Sequence, residues 1–373
     1  MSTKIDSAEY YFKTSKRCNL RCTYCSEQGH YKDQQLLTPP IMKMIFGKIL
    51  AYHEARQIPG PVQFFFTGGE ILTMGKAWFK SVLKLQAQIF GARGLETRTE
   101  IMSNLTLLDQ EWIDLLKAHH VTIGCSIDLY AKTRPFKATR QDSTPTVIDK
   151  FILLARNKVA SSAIMVITKQ NVGRGKEIYR TMNKIGLPFH ALPLDLDAMK
   201  YCPQLQTTPE EFAQFLIDMA EEHLKPGRHV AVACLDGYIN LIQNGYPTDG
   251  ICHLVGRNCL QPPPLFFENT GETYFCGCFC EPETLVGNIF RDSVATLFRR
   301  LASKKVFTDL TKRYQKMDKT CHDCAWRPIC NGGCPSFAYQ EGDMFARSRF
   351  YCRVNQLVFP YLKKKLGKLS CRK

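Results

Sequence analysis

The chain contains no uncharged apolar run approaching the roughly 20 residues that a membrane-spanning helix needs. Its opening stretch, MSTKIDSAEYYF, has no apolar core of the kind a secretory signal carries. These two absences remove the membrane-spanning and exported classes and leave a soluble cytoplasmic protein as the expectation. Acid is also in short supply, with 34 Asp plus Glu against 50 Lys plus Arg and a formal charge of +16. That imbalance suggests an acidic partner, yet no recognisable nucleic-acid recognition module accompanies it. Much of the excess sits in the tail YLKKKLGKLSCRK, which also reads as a solvated helix end. With 45% hydrophobic residues in 373, wholesale disorder is excluded and a large domain plus a smaller one is affordable.

Cysteine, by contrast, is abundant at 17, an odd total. Secreted disulfide scaffolds are short and loop-rich, whereas here long periodic segments separate tight cysteine groups, so thiolate–metal ligation is favoured over disulfides. The first group lies in KRCNLRCTYCSEQG, which places Cys18, Cys22 and Cys25 within eight residues. Thiolates suit zinc or iron–sulfur centres. Zinc requires a fourth ligand, for which His30 is the one nearby histidine. A cubane held by three thiolates leaves one iron open to a substrate or cofactor.

Around this loop the first 200 or so residues alternate β-rich and helical runs. EYYFKTS, VQFFFT, TRTEIMS, VTIGCSI, SSAIMVIT and PFHALPL are predicted strands. Helices are predicted to begin near Pro39, Gly75, Leu107, Pro145 and Gly173, with another from Pro209 to about Leu224. This repetition predicts an α/β fold, a parallel sheet bent into an open, partial (β/α)6 barrel; a complete eight-stranded barrel needs more chain. The cysteine loop then falls at the carboxyl end of the first strand, where ligands converge in parallel-sheet enzymes. The pattern changes near Gly250, which divides the chain into a barrel over 1–225, a connector over 226–250 and a metal-stabilised domain over 251–373 with a basic terminal helix.

CNLRCTYC is similar to the signature of the radical S-adenosylmethionine superfamily. The resemblance implies that the open iron of a [4Fe–4S] cluster chelates the methionine part of S-adenosylmethionine. Reduction then cleaves the sulfonium to a 5′-deoxyadenosyl radical, which abstracts hydrogen from carbon. It also implies a cofactor site made by Tyr24 before the third cysteine, Gly68, Gly69 and Glu70 of FFFTGGEIL, Asn104 of IMSNLTLL and Ser126 of GCSIDL, with Asp128 beside the pocket. At Asn104 the pattern departs, because the usual following glycine is Leu105.

Further on, Cys259, Gly271, Cys276, Cys321, Cys324, Cys330, Cys334 and Cys352 resemble the SPASM auxiliary-cluster domain. The resemblance assigns Cys252, Cys259, Cys276 and Cys334 to one [4Fe–4S] cluster, and Cys321, Cys324, Cys330 and Cys352 to another, giving three in all. Eleven thiolates with three oxidised cores would bring the charge to about +11. Fully ligated clusters imply electron transfer, with a purely structural role as the alternative. The reductant implied is a flavodoxin or ferredoxin.

Anaerobic sulfatase-maturating enzymes share this layout, but the Asp that follows the cysteine matching Cys276 in them is Gly277 here. Ordinary sulfatase maturation is therefore disfavoured. Glu281, Glu283, Asp128, Asp195 and Asp197 are the substitute bases, and Cys278 and Cys280 are candidate hydrogen donors or structural thiols. Arg134 and Arg140 are either surface residues or anchors for a substrate anion, and His190 reads as structural. Only 17 residues precede Cys18, which leaves no room there for a leader-binding domain. The expected substrate is a ribosomally made peptide, oxidised or crosslinked; the alternative is dehydrogenation or epimerisation of a small molecule such as a sugar or aminoglycoside. A zinc-stabilised nucleic-acid-binding protein is the competing non-enzyme reading.

Overall fold

A computed structural model of the chain describes residues 8–27, 35–194, 202–245, 263–317 and 319–370. Six parallel strands form in sequence order: β1 (Ala8–Lys13), β2 (Val62–Thr67), β3 (Thr97–Ser103), β4 (Thr122–Ser126), β5 (Ser161–Ile167) and β6 (Phe189–Pro193). Helices α1 (Pro39–Arg56), α2 (Lys76–Ile89), α3 (Gln110–Ala118), α4 (Thr144–Arg156) and α5 (Gly175–Ile185) alternate with them. Every predicted strand is present, and β2 and β3 match their predicted limits.

Side-chain alternation explains the two faces. Along β2, Val62, Phe64 and Phe66 are buried while Gln63, Phe65 and Thr67 are half-buried. The buried set packs under the helices: Phe46 of α1 lies 5.0 Å from Phe64 and Trp78 of α2 meets Phe66 edge-on at 6.1 Å. The other set faces the barrel interior, a cavity of about 490 Å³ lined by residues that include Tyr11, Phe65, Met102, Ile164 and His190.

After α6 (Pro209–His223) and α7 (Ala233–Asn244), the chain returns to the same sheet. Strand β7 (Leu265–Phe267) runs parallel to β1, and β8 (Glu272–Tyr274) and β9 (Gly287–Asn288) continue antiparallel. The sheet order is β6-β5-β4-β3-β2-β1-β7-β8-β9, so the cysteine-rich region is joined to the barrel by main-chain hydrogen bonds. Tyr11, Phe65 and Phe266 share one register, and Tyr11 stacks on its neighbours at 4.3 and 4.2 Å. Lys48 of α1 secures the junction by donating to the carbonyls of Ile289, Phe290 and Asp292 at 2.7, 3.1 and 3.0 Å. The predicted boundary near 251 lies outside the described residues.

The remaining chain is helical: α8 (Val294–Ser303), α9 (Lys305–Lys316), three short helices α10 (Lys319–His322), α11 (Arg327–Cys330) and α12 (Pro335–Gln340), and α13 (Arg349–Ser370). The last packs along α6 and α7. Among the described residues, no helix is long and apolar enough to cross a membrane.

Candidate active site

The loop carrying Cys18, Cys22 and Cys25 is clamped from two sides. On one side it lies on the end of β2, where the Gly69 and Glu70 amides donate to the Ser15 and Arg17 carbonyls at 2.8 and 2.7 Å. A Cβ on Gly68 would sit 2.4 Å from the Ser15 oxygen, and one on Gly69 would sit 2.1 Å from the Arg17 oxygen. Only glycines let the two backbones approach so closely. On the other side, Arg21 and Thr23 amides donate to Pro135 and Thr133 carbonyls at 2.9 and 2.8 Å.

Glu70 serves the same junction. It is 1% exposed, and its carboxylate accepts from Leu72 N, Ser103 Oγ and Asn104 N at 2.9, 2.7 and 2.6 Å. Burial pushes its pKa up, and those three donors oppose the rise. The resemblance counted this carboxylate in the cofactor site; in the structure it ties the end of β2 to the end of β3. Asn104, so held, donates from Nδ2 to Asn19 Oδ1 at 2.9 Å and to the Cys18 sulfur at 3.8 Å. Leu20 N is a second donor to that sulfur at 3.4 Å. Leu105 has φ of 60°, the left-handed conformation that the expected glycine adopts freely and a leucine holds at a cost of about 1–2 kcal/mol. Its side chain is fully buried, which offsets that cost.

Asp128 also works from behind. It is 1% exposed and accepts from Tyr24 OH at 2.6 Å, Thr133 Oγ1 at 2.7 Å and Val166 N at 3.0 Å. Engaged on both oxygens, this carboxylate positions Tyr24. Arg134 is buried rather than a surface residue, and donates to Tyr24 OH at 3.1 Å. Its Nε has no hydrogen-bond partner among the described residues. Ser126, half-buried, ends β4.

Burial pushes the Cys18 thiol up to about 11 and Cys22 up to about 12, with Arg134 opposing at both. Neutral thiols are thus favoured until a cationic core stabilises the thiolates. Among the described residues no three His, Cys, Asp or Glu side chains converge closely enough to hold a single metal ion. The three cysteines, the N–H donors on Cys18 and the orphaned Arg134 N–H fit a larger anionic assembly, a thiolate-bound cluster with an acidic cofactor group. His30 lies outside the described residues.

In the C-terminal region, the Cys352 thiol is raised by burial and by the nearby Cys330 and Cys324 thiols. Cys321 precedes them by one turn, its carbonyl accepting from Cys324 N at 3.3 Å. Cys276 is half-buried and Cys334 buried. Cys252, Cys259, Asp195, Asp197 and Cys371 lie outside the described residues.

Residues 12–182 match the family model of the radical SAM superfamily. That stretch, which carries the cysteine loop and most of the barrel, is similar to the superfamily. The cysteine-type anaerobic sulfatase-maturating enzyme of Clostridium perfringens is 23% identical over 365 residues, covering 93% of this chain and 94% of that one. The serine-type enzyme of Bacteroides thetaiotaomicron is also 23% identical, over 92% and 87%. The solved structure of native anSMEcpe with bound AdoMet and the Cp18Cys peptide superposes with a TM-score of 0.81 at 20% identity, covering 98% of this chain and 99% of that one. Streptococcus suis SuiB bound to S-adenosylmethionine gives 0.62 at 13% identity, over 93% and 77%. The fold is thus an α/β partial barrel with a cysteine-rich C-terminal region, as in those structures.

At its barrel mouth, Gly277 lies against Phe266, whose ring a Cβ would meet at 2.6 Å. The aromatic ladder occupies the space that an acidic side chain at 277 needs. Glu281 instead caps the turn at Pro282–Thr284, and Glu283 faces Tyr339. The carboxylates at the mouth are ones the sequence reading missed. Lys13 Nζ bridges Glu27 and Glu268 at 2.6 Å each, with Lys16 at 3.7 and 3.8 Å from the same pair. Cys280 is open to solvent beside them, and its sulfur donates to the Cys276 carbonyl at 3.4 Å. The surrounding protein pushes its thiol up to about 12, with Lys13 opposing and Glu268 adding. Cys278 is exposed, and its carbonyl accepts from Ser336 Oγ at 2.6 Å. No motif marks Glu27 or Glu268; only folding brings Glu268 onto a lysine 255 residues away in sequence.

Proposed function

We propose that this protein oxidises a residue of a ribosomally made peptide, by crosslinking or dehydrogenation. Cys18, Cys22 and Cys25 hold the S-adenosylmethionine-binding cluster. Cys252, Cys259, Cys276 and Cys334 hold one auxiliary cluster, and Cys321, Cys324, Cys330 and Cys352 the other. When bound, the first cluster and S-adenosylmethionine supply a 5′-deoxyadenosyl radical able to take hydrogen from unactivated carbon. The observation carrying this reading is the double-clamped cysteine loop, with its glycine contact to β2 and its N–H donors on Cys18.

The chain's own residues orient and shield. Tyr24, Gly68, Gly69, Asn104 and Ser126 line the cofactor site, and Arg134 offers its unused N–H to an acidic group there. Glu70 and Asp128 hold these residues in place. The Tyr11–Phe65–Phe266 ladder makes an apolar wall against which an aromatic or aliphatic substrate side chain packs. Glu268 and Glu27 receive the proton that substrate oxidation releases. A peptide is favoured by the relatives, sulfatase-maturating enzymes in name, one of them solved with a peptide bound.

A second reading, redox-neutral epimerisation, draws on Cys280. Held as a neutral thiol at the mouth, it has the S–H bond that a donor must break to give a substrate carbon its hydrogen. The resulting thiyl is restored by one electron and one proton from a flavodoxin- or ferredoxin-like reductant.

Anaerobic reconstitution with iron counting and a strong reductant tests the proposal. About twelve irons per chain and 5′-deoxyadenosine formation are expected. Zinc, or fewer than about four irons without cleavage, overturns it. In deuterium oxide, solvent deuterium retained at carbon selects epimerisation, and a two-hydrogen mass loss selects oxidation.

A further inference from the structure

Arg313 of α9 is fully buried. Its guanidinium donates to five carbonyls: Met344 at 2.6 Å, Ala346 at 2.9 Å, Asn331 and Gly332 at 3.1 Å, and Gly333 at 3.2 Å. Burying a guanidinium is costly unless its donors are satisfied, and here two loops close on it to do so. Three of those carbonyls belong to the segment linking Cys330 to Cys334. Asn331, Gly332 and Gly333 have φ of 48°, 75° and 71°, three successive left-handed residues. A Cβ on Gly332 would lie 2.0 Å from the Met317 methyl, so the turn is closed to larger residues.

While the carbonyls of this turn point at Arg313, the Gly333 amide donates to the Cys330 carbonyl at 3.1 Å and closes the turn on the cysteine. A donor to the Cys330 sulfur arrives from α13, where Asn355 Nδ2 lies 3.3 Å away. Asn355 is 2% exposed, and its Oδ1 accepts from the buried Tyr238 hydroxyl at 2.5 Å, which fixes the amide end that faces the sulfur. Cys330 thus has an N–H donor on its sulfur, fixed from behind by Tyr238, and begins a turn whose carbonyls hold a buried cation. Hydrogen bonds to ligand sulfurs and nearby positive charge stabilise the reduced form of an iron–sulfur centre.

We infer that Arg313 and Asn355 are positioning residues that raise the reduction potential of the auxiliary cluster ligated by Cys330. The inference rests on the reading that Cys321, Cys324, Cys330 and Cys352 hold a cluster. It assigns this centre, by the chain's own architecture, to accepting electrons rather than merely bracing the fold.

The test is an EPR-monitored redox titration of the reconstituted full-length enzyme, comparing wild type with Asn355→Leu and Arg313→Lys. In both variants, with wild-type iron content, one auxiliary midpoint should shift to more negative potential while the S-adenosylmethionine-binding cluster is unmoved. The shift should be smaller in Arg313→Lys, which keeps the charge. Iron-replete variants with unmoved midpoints would overturn the inference alone. Variants that lose about four irons would overturn it in favour of a structural clamp. Wild type holding only about four irons would overturn the cluster reading beneath it.

Discussion

Cys18, Cys22 and Cys25 are placed by the ends of strands, whereas Cys330 and Cys334 are placed by a left-handed turn wrapped on a buried arginine. In the first region the ligands are close in sequence, and the sheet fixes them through β2 and the loop after β4. In the second the cysteines run from Cys321 to Cys352, the helices from Lys319 to Gln340 are short, and a side chain does what the sheet does elsewhere. The difference teaches that a loop on a parallel sheet inherits its precision from backbone pairing. A helical, turn-rich domain must instead supply its own internal anchor.

The comparison is broken most forcefully by removing ligands. Cys22→Ala should abolish 5′-deoxyadenosine formation to background, read by chromatography. Cys324→Ala should keep that cleavage yet lose about four irons. If both variants lost cleavage equally, the two regions would not be separable.

Next in size is the glycine contact. Gly69→Ala forces a methyl against the Arg17 carbonyl and should destabilise by about 3 kcal/mol, read from the urea midpoint. A neutral Gly69→Ala would mean that the cysteine loop is not seated on β2.

Acid should act on the barrel through His53. This residue is 1% exposed, bonds the Tyr10 hydroxyl at 3.1 Å, and is pushed by burial down to about 4. The unfolded chain takes up its proton near pH 6.5 and the folded chain only near 4, so stability should fall as pH drops through that window. His53→Gln should flatten the decline of melting temperature between pH 7 and 5. An unchanged slope would locate the acid sensitivity elsewhere.

The smallest effect sharpens the role of glycine. Gly47, exposed within α1 with nothing near its missing Cβ, needs no close approach. Gly47→Ala should stabilise by about 1 kcal/mol in the same denaturation.

The strand–helix alternation was legible because buried strand faces and amphipathic helices write their periods into the chain; VQFFFT and TRTEIMS became strands over their predicted spans. The cysteine spacing was legible because three ligands share one loop. Glu27 and Glu268 were not, since no local pattern announces that distant carboxylates will share Lys13. The contacts of Asp128 were not legible either, because a carboxylate at a strand end looks the same in sequence whether it faces substrate or bonds Tyr24. Arg313 and Asn355 carried no signal at all.

By itself, then, the sequence determined the barrel's order of elements, the cysteine loop's position at the carboxyl end of β1 and the need for glycine at 68 and 69, because each is a local property of spacing, periodicity or side-chain size. Tertiary structure alone decided which carboxylates stand at the mouth, that Phe266 fills the space beside Gly277, and that a buried arginine and an asparagine converge on Cys330. Those follow from long-range packing, where desolvation and hydrogen-bond satisfaction choose partners that no sequence interval records.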